Sequence, residues 1–268
     1  MGVSRLGLAW ELEKASFRGQ LAYRVDFVIL ILMGVAYQGS GFAVIWVMLH
    51  RFHSIGGWSV ADVAVLYSLR LLAHAAWLVP LNQISVLDDL VRAGSLDRYL
   101  VRPLNPLVQI MTNRFEMNVI GDVVTATGFF TVTAIVAHVS FSPVHVLYLV
   151  LAVIGGGLAE AAVVLAISSL SFRFLQIWAA QYLTDQVFLL FGSYPMRVFG
   201  RVTGWVLTWL VPVAFVAYIP SSVLLDRVGG LHVPAPVAWG APVVGAIWFY
   251  AAYRLWRWQL RGYQSSGT

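Results

Sequence analysis

The chain contains no cysteine, which excludes disulfides, thiolate metal sites and cysteine nucleophiles without pointing to any compartment. Lysine is almost missing: Lys14 stands alone against 16 arginines. Because Lys14 follows Glu13, the pattern G-x-x-x-x-G-K-[ST] cannot be written, and hydrolysis of ATP by a phosphate-binding loop is excluded. Neither G-x-S-x-G nor H-E-x-x-H occurs, so no catalytic set is recognisable. His50, His53, His74, His138, His145 and His232 supply no metal-ligand set, and no metal is expected. Charge is scarce as well. Only 11% of the 268 residues are Asp, Glu, Lys or Arg, against about 25% in a soluble domain. That is too little to cover a water-facing surface.

What is present is apolar sequence in long blocks. Hydrophobic residues make up 60% of the chain, and several runs reach the roughly 18 to 20 residues that cross a bilayer. The first block, from Phe27, comes too late and runs too long for a cleavable signal peptide. An all-α, polytopic membrane protein is the reading. The net charge of +5 then reflects orientation and lipid head-group contact, not nucleic acid.

Hydropathy places spans at about 24–50, 60–84, 114–138, 144–170, 182–199 and 237–253. Residues 1–23 are more polar, and Leu6, Trp10, Phe17 and Leu21 share a helical stripe; an interfacial helix is expected there. The stretch 202–225 is apolar enough for a seventh span. Pro212 and Pro220 cut it into halves of about ten residues, each too short to cross. An outer re-entrant hairpin at 202–225 keeps six spans and puts 12 of the 17 basic residues on one side, with both termini cytoplasmic. A single transmembrane domain, 1–268, is expected.

Two features carry functional weight. Arg70 and Glu160 lie deep in the second and fourth spans. A lone mid-membrane charge costs at least about 2.5 kcal/mol, so a mutual ion pair or a polar substrate path are both open. The second feature is the polar connection 85–106. Leu87, Asp88, Asp89, Leu90, Val91 and Arg92 form a short amphipathic turn with Leu87, Leu90 and Val91 on one face. Gly94 is placed to end it, and Leu96, Asp97 and Arg98 follow. Such a charged turn suits docking of a soluble partner; an ordinary solvated loop is the plainer alternative.

The run Arg92-Ala-Gly-Ser-Leu-Asp-Arg-Tyr-Leu-Val-Arg-Pro-Leu-Asn-Pro106 resembles the loop after the second span in ABC-2-type permeases, in a branch of uncharacterised export permeases. Tyr194-Pro195 followed by Leu210-Val-Pro-Val-Ala-Phe-Val-Ala-Tyr-Ile-Pro220 resembles the outer hairpin of the same branch. The resemblance spans essentially the whole chain. It implies the membrane half of an ATP-driven exporter in a cell membrane, bacterial in type, paired with a second copy or a related permease. ATP and magnesium would belong to a separate ATPase gripping residues Leu87 to Arg98, with Ser171 to Trp178 as a minor second contact. The chain itself would not be an enzyme. An amphipathic or hydrophobic cargo is expected, and a secondary transporter without an ATPase is the competing reading. No internal repeat of the kind common in secondary transporters is visible.

Overall fold

In the computed structural model, residues 24–51, 54, 56–112, 118–174, 176–231 and 233–264 are described. The interfacial helix expected over 1–23 lies outside them, as do residues 113–117, where the third span was expected to begin. The described residues are helical and contain no strand.

Helix α1 spans Arg24–Arg51 and α2 spans Val60–Leu81. Ser59 and Asp62 start α2 with a reciprocal capping box: the Ser59 N–H donates to Asp62 Oδ2 at 2.8 Å, and the Asp62 N–H donates to Ser59 Oγ at 3.3 Å. Pro80 lacks the N–H needed to continue the α-helical ladder, and a 3-10 turn at Asn82–Val86 carries the chain into α3, Leu87–Arg92. Two short helices follow, α4 at Asp97–Leu100 and α5 at Pro106–Met111. Then come α6, Asn118–Val136, and α7, Pro143–Ser168, the latter capped by Ser142. Helix α8 is Trp178–Phe191. A broken region follows, with α9 (Gly200–Trp205), a π-helical turn at Val206–Leu210, α10 (Val213–Val216) and α11 (Tyr218–Leu224). Short α12 (Ala235–Trp239) leads into α13, Ala241–Leu260.

Among the described residues, three stretches are long and apolar enough to cross a membrane by length and composition: Val60–Arg92, Val119–Val136 and Pro143–Phe172. Met196–Leu210 and Val213–Leu224 pass the same test only together, and they bend by 69° where they meet. The break falls at Val211–Pro212, as the proline pattern suggests. Pro220 does not break anything. It occupies the third position of α11, where the missing N–H would have no helical partner in any case. The fifth hydrophobic stretch also differs from expectation. Helix α8 stops at Phe191, not Phe199, and its 14 residues rise only about 21 Å. Gly192 ends it, and Pro195 pushes Tyr194 out of the helical region.

Helix α7 is the hub. Its Gly155-Gly156-Gly157 triplet puts three neighbours at backbone contact. A Cβ on Gly155 would lie 2.5 Å from Pro242 Cα in α13, one on Gly156 would lie 2.7 Å from the Val216 carbonyl oxygen in α10, and one on Gly157 would lie 2.8 Å from the Ala73 carbonyl oxygen in α2. This is the small-residue packing that brings helices together in lipid. Two buried clusters result. One joins α2, α6, α7 and the broken region around Leu66, Leu69, Phe188 and Phe215. The other gathers Trp77, Ile84, Leu87, Leu96, Tyr99, Leu165 and Trp256 beneath the 85–106 connection. At the opposite end of α2, Arg227 clamps the connections: its guanidinium lies 2.8 Å from Asp62 Oδ2 and donates to the Gly57 carbonyl at 3.0 Å.

Candidate functional site: a polar crevice and the turn attached to it

Arg70 and His74 stand one helical turn apart on α2, so they share a face. That face meets Glu160 of α7. Glu160 is 2% exposed and takes its charge partner from His74, with Nδ1 2.7 Å from Oε1. The Trp77 indole nitrogen lies 3.3 Å from the same Nδ1 and closes the pair on another side. Arg70 is 5% exposed. It makes no ion pair within 4.0 Å among the described residues, and its Nε has no hydrogen-bond partner. The direct partner of Glu160 is therefore His74, and Arg70 is left to face a crevice.

This crevice, of about 260 Å³, runs between three walls. Helix α1 contributes Tyr37 and Gln38. Helix α2 and the turn after it contribute Arg70, His74, Trp77, Asn82 and Ser85. Helix α8 contributes Asp185, Gln186 and Leu189. Behind α1, the Asp122 carboxyl on α6 stands 4.0 Å from where a Cβ on Gly34 would lie. Polar side chains dominate a surface set among apolar helices. Arg70 and Glu160 can be picked out of the sequence as ionisable residues deep in spans. Asp122 also lies within an expected span, the third, and is passed over when only the second and fourth are searched; Asp185 stands only three residues inside the start of the fifth. The four-residue step from Arg70 is the signal that would have found His74.

The turn at Leu87–Arg92 is where the amphipathic pattern puts it, and Gly94, at φ 64°, ends it in the left-handed region. Its apolar side is turned inward, so a partner could meet only the charged side. Leu87 is 1% exposed, Leu96 and Tyr99 are buried, and Leu90 and Val91 pack partly against the same cluster. These side chains bury apolar area against the chain's own core, which an isolated turn could not do. The Gln109 amide donates to the Tyr99 and Leu104 carbonyls at 3.0 and 3.1 Å and holds the loop down. Outward lie Asp89, Arg92 and Arg98, with Asp97 half-buried between. Arg92 pairs with Asp88 at 3.5 Å and with Asp89. The Arg98 guanidinium covers the Tyr99 ring at 5.2 Å. Val101, 81% exposed, and Leu104 add apolar surface beyond Arg98. Three apolar side chains around Arg102-Pro103 were the sequence signal for that patch.

Burial pushes the Asp88 carboxyl above its ordinary 3.8; Asp89 adds to the rise and Arg92 opposes it. A raised carboxyl pKa means the folded loop binds protons better than the unfolded chain, so this group favours folding at low pH and penalises it above the raised value. One Asp88 oxygen also lacks a hydrogen-bond partner. Asp88→Asn is expected to raise the melting temperature of the purified chain slightly at pH 7. The gain should shrink as pH falls through the carboxylate range. A fall in stability at pH 7 would show that the Arg92 contact outweighs the burial.

Apolar stretches of membrane length in a helical bundle, with a charged crevice among them, are the architecture of a polytopic membrane protein. A family model described as ABC-2 family transporter protein matches residues 35–267. The chain belongs to that family and is a multi-pass membrane permease of the ABC type. No curated protein and no solved structure matches it significantly.

Proposed function

We propose that the chain is the permease subunit of an ATP-driven exporter and moves an amphipathic or hydrophobic substrate outward. ATP and magnesium act on a separate ATPase, and a second copy or a related permease completes the path. The chain lies in a cell membrane of bacterial type with six spans, α8 and the non-α-helical link that follows it to Phe199 together serving as the fifth. The broken region 202–225, with Tyr194-Pro195 before it, dips into the outer leaflet, and both termini are cytoplasmic. The observation that carries this reading is the continuity of helix from Val60 to Arg92. One end of that run bears Arg70 and His74 on the crevice; the other bears Asp89 and Arg92 at an exposed turn. Arg70 and Arg92 are separated by roughly 33 Å along the helix. A partner that grips the turn therefore has a stiff lever into the crevice. Coupling of this kind requires that the partner's two states contact the turn differently.

The docking surface is the outer side of the 85–106 loop: Asp89, Arg92 and Arg98, with Val101 as its apolar element. Leu87, Leu90, Val91 and Leu96 hold that surface in place from beneath. The test is the double change Arg98→Glu and Val101→Asp, read by co-purification of the ATPase and by substrate efflux. Both side chains are exposed, so the bundle should persist. ATPase recovery is expected to fall at least about tenfold, the order of loss when interface charge and apolar contact are removed together. Unchanged recovery and unchanged efflux would contradict the docking role. The competing reading, a secondary transporter, predicts no ATPase at all.

A further inference from the structure

The crevice presents two opposite charges that do not satisfy each other. On the α2 wall, Arg70 is almost fully buried, lines the crevice and has an unpartnered Nε. On the α8 wall, Asp185 lines the same space. No ion pair within 4.0 Å joins the two. The other ionisable groups nearby are placed differently. His74 and Glu160 are engaged with each other at 2.7 Å. Asp122 does not line the space.

A purely anionic guest would meet Asp185, and a purely cationic one would meet Arg70. Each would leave one of the two charges unanswered, at greater cost where that charge is the buried Arg70. Only a guest with both signs in one small group satisfies both walls. We propose that this crevice binds a zwitterionic head group, its anion against Arg70 and its cation against Asp185. The exposed Tyr37 ring on the third wall suits the cationic end. Size points the same way. A volume of about 260 Å³ is below the roughly 300–1,000 Å³ that encloses a drug-sized molecule, so the crevice holds a head and not a whole amphiphile. The tail has apolar surface to follow, since Leu183 and Leu190 on α8 are exposed. The proposal deepens the exporter reading by naming the chemistry of its cargo. It concerns binding alone, so it can fail while the ATPase partnership stands, and the reverse.

The experiment uses the full chain in nanodiscs of phosphatidylglycerol, which offers no zwitterion. Hexylphosphocholine, hexyltrimethylammonium and hexyl phosphate are titrated by calorimetry. The phosphocholine probe is expected to bind at least about tenfold more tightly than either singly charged one, the order expected when one buried charge is otherwise left unpaired. Asp185→Asn should move the preference to hexyl phosphate, and Arg70→Gln should move it to hexyltrimethylammonium. If Arg70→Gln cannot be recovered folded, Asp185→Asn decides alone, because its side chain is open to the crevice mouth. Repeating the titration in phosphatidylethanolamine discs separates sources: weakened phosphocholine binding assigns the site to a membrane lipid head group, unchanged binding to a soluble amphiphile. Equal affinity for all three probes, a preference for a singly charged one, or an unmoved ranking in Asp185→Asn overturns the proposal. The last result would mean that Arg70 and Asp185 close on each other and exclude a guest.

Discussion

Gly245→Leu is expected to abolish recovery of folded permease from the membrane. A Cβ at position 245 would fall 1.8 Å from the Gly155 carbonyl oxygen and 2.6 Å from its carbonyl carbon. Both are main-chain atoms of α7, so no side chain can rotate away. The two helices would have to separate by more than an ångström along their contact. Because Gly155, Gly156 and Gly157 bring α13, α10 and α2 against the same turn of α7, separation on one side strips contacts from the others. Overpacking of a rigid core costs about 1–3 kcal/mol where neighbours can move; here it should exceed that range. Gly245→Ala should already lower the melting temperature. Gly128→Ala is the control, since a Cβ there meets nothing within 4 Å. Near-normal stability of Gly245→Leu would mean that α7 and α13 do not touch through their backbones.

The second large effect is expected at Glu160. Replacing it by leucine removes the carboxylate bonded to His74 and places an apolar side chain beside His74. Removing one member of a buried pair costs about 3–5 kcal/mol. The lower end applies here, because the His74 side chain is 24% exposed and not fully shut away from other partners. Chemical unfolding of the purified chain in mixed micelles measures the cost. A double-mutant cycle between His74 and Glu160 should give a larger coupling than one between Arg70 and Glu160, since the first pair is in contact at 2.7 Å and the second is not. The reverse order would restore the direct Arg70–Glu160 pairing that span positions alone suggest.

The comparison between sequence and structure divides along a physical line. Helix existence was legible wherever one property repeats over many residues. The apolar runs that become α2, α6 and α7 are of this kind, and so is the amphipathic turn ended by Gly94. Direction of facing was not legible where two apolar surfaces compete for one side chain. Leu87, Leu90 and Val91 form a correct stripe, but the stripe turns to Trp77, Leu165 and Trp256 of the same chain, 10 to 169 residues away in sequence. Charge partners were legible only as candidates. Depth in a span brought Arg70 and Glu160 forward, while His74 took the contact because it lies one turn further along α2. Proline carried positional meaning that residue identity alone does not reveal: Pro212 marks the 69° bend, whereas Pro220 sits harmlessly in the first turn of α11.

The central claim, a permease worked by a separate ATPase, is tested most directly by purifying the tagged full chain from its own membranes in mild detergent. ATP hydrolysis is then measured before and after the chain is stripped to a single subunit. The account predicts that an ATP-hydrolysing polypeptide travels with the chain in near-equal amounts, is lost from the Arg98→Glu, Val101→Asp variant, and takes all hydrolysis with it. Hydrolysis that remains with the isolated chain, or a wild-type chain that purifies with no ATPase while still driving efflux, would contradict it.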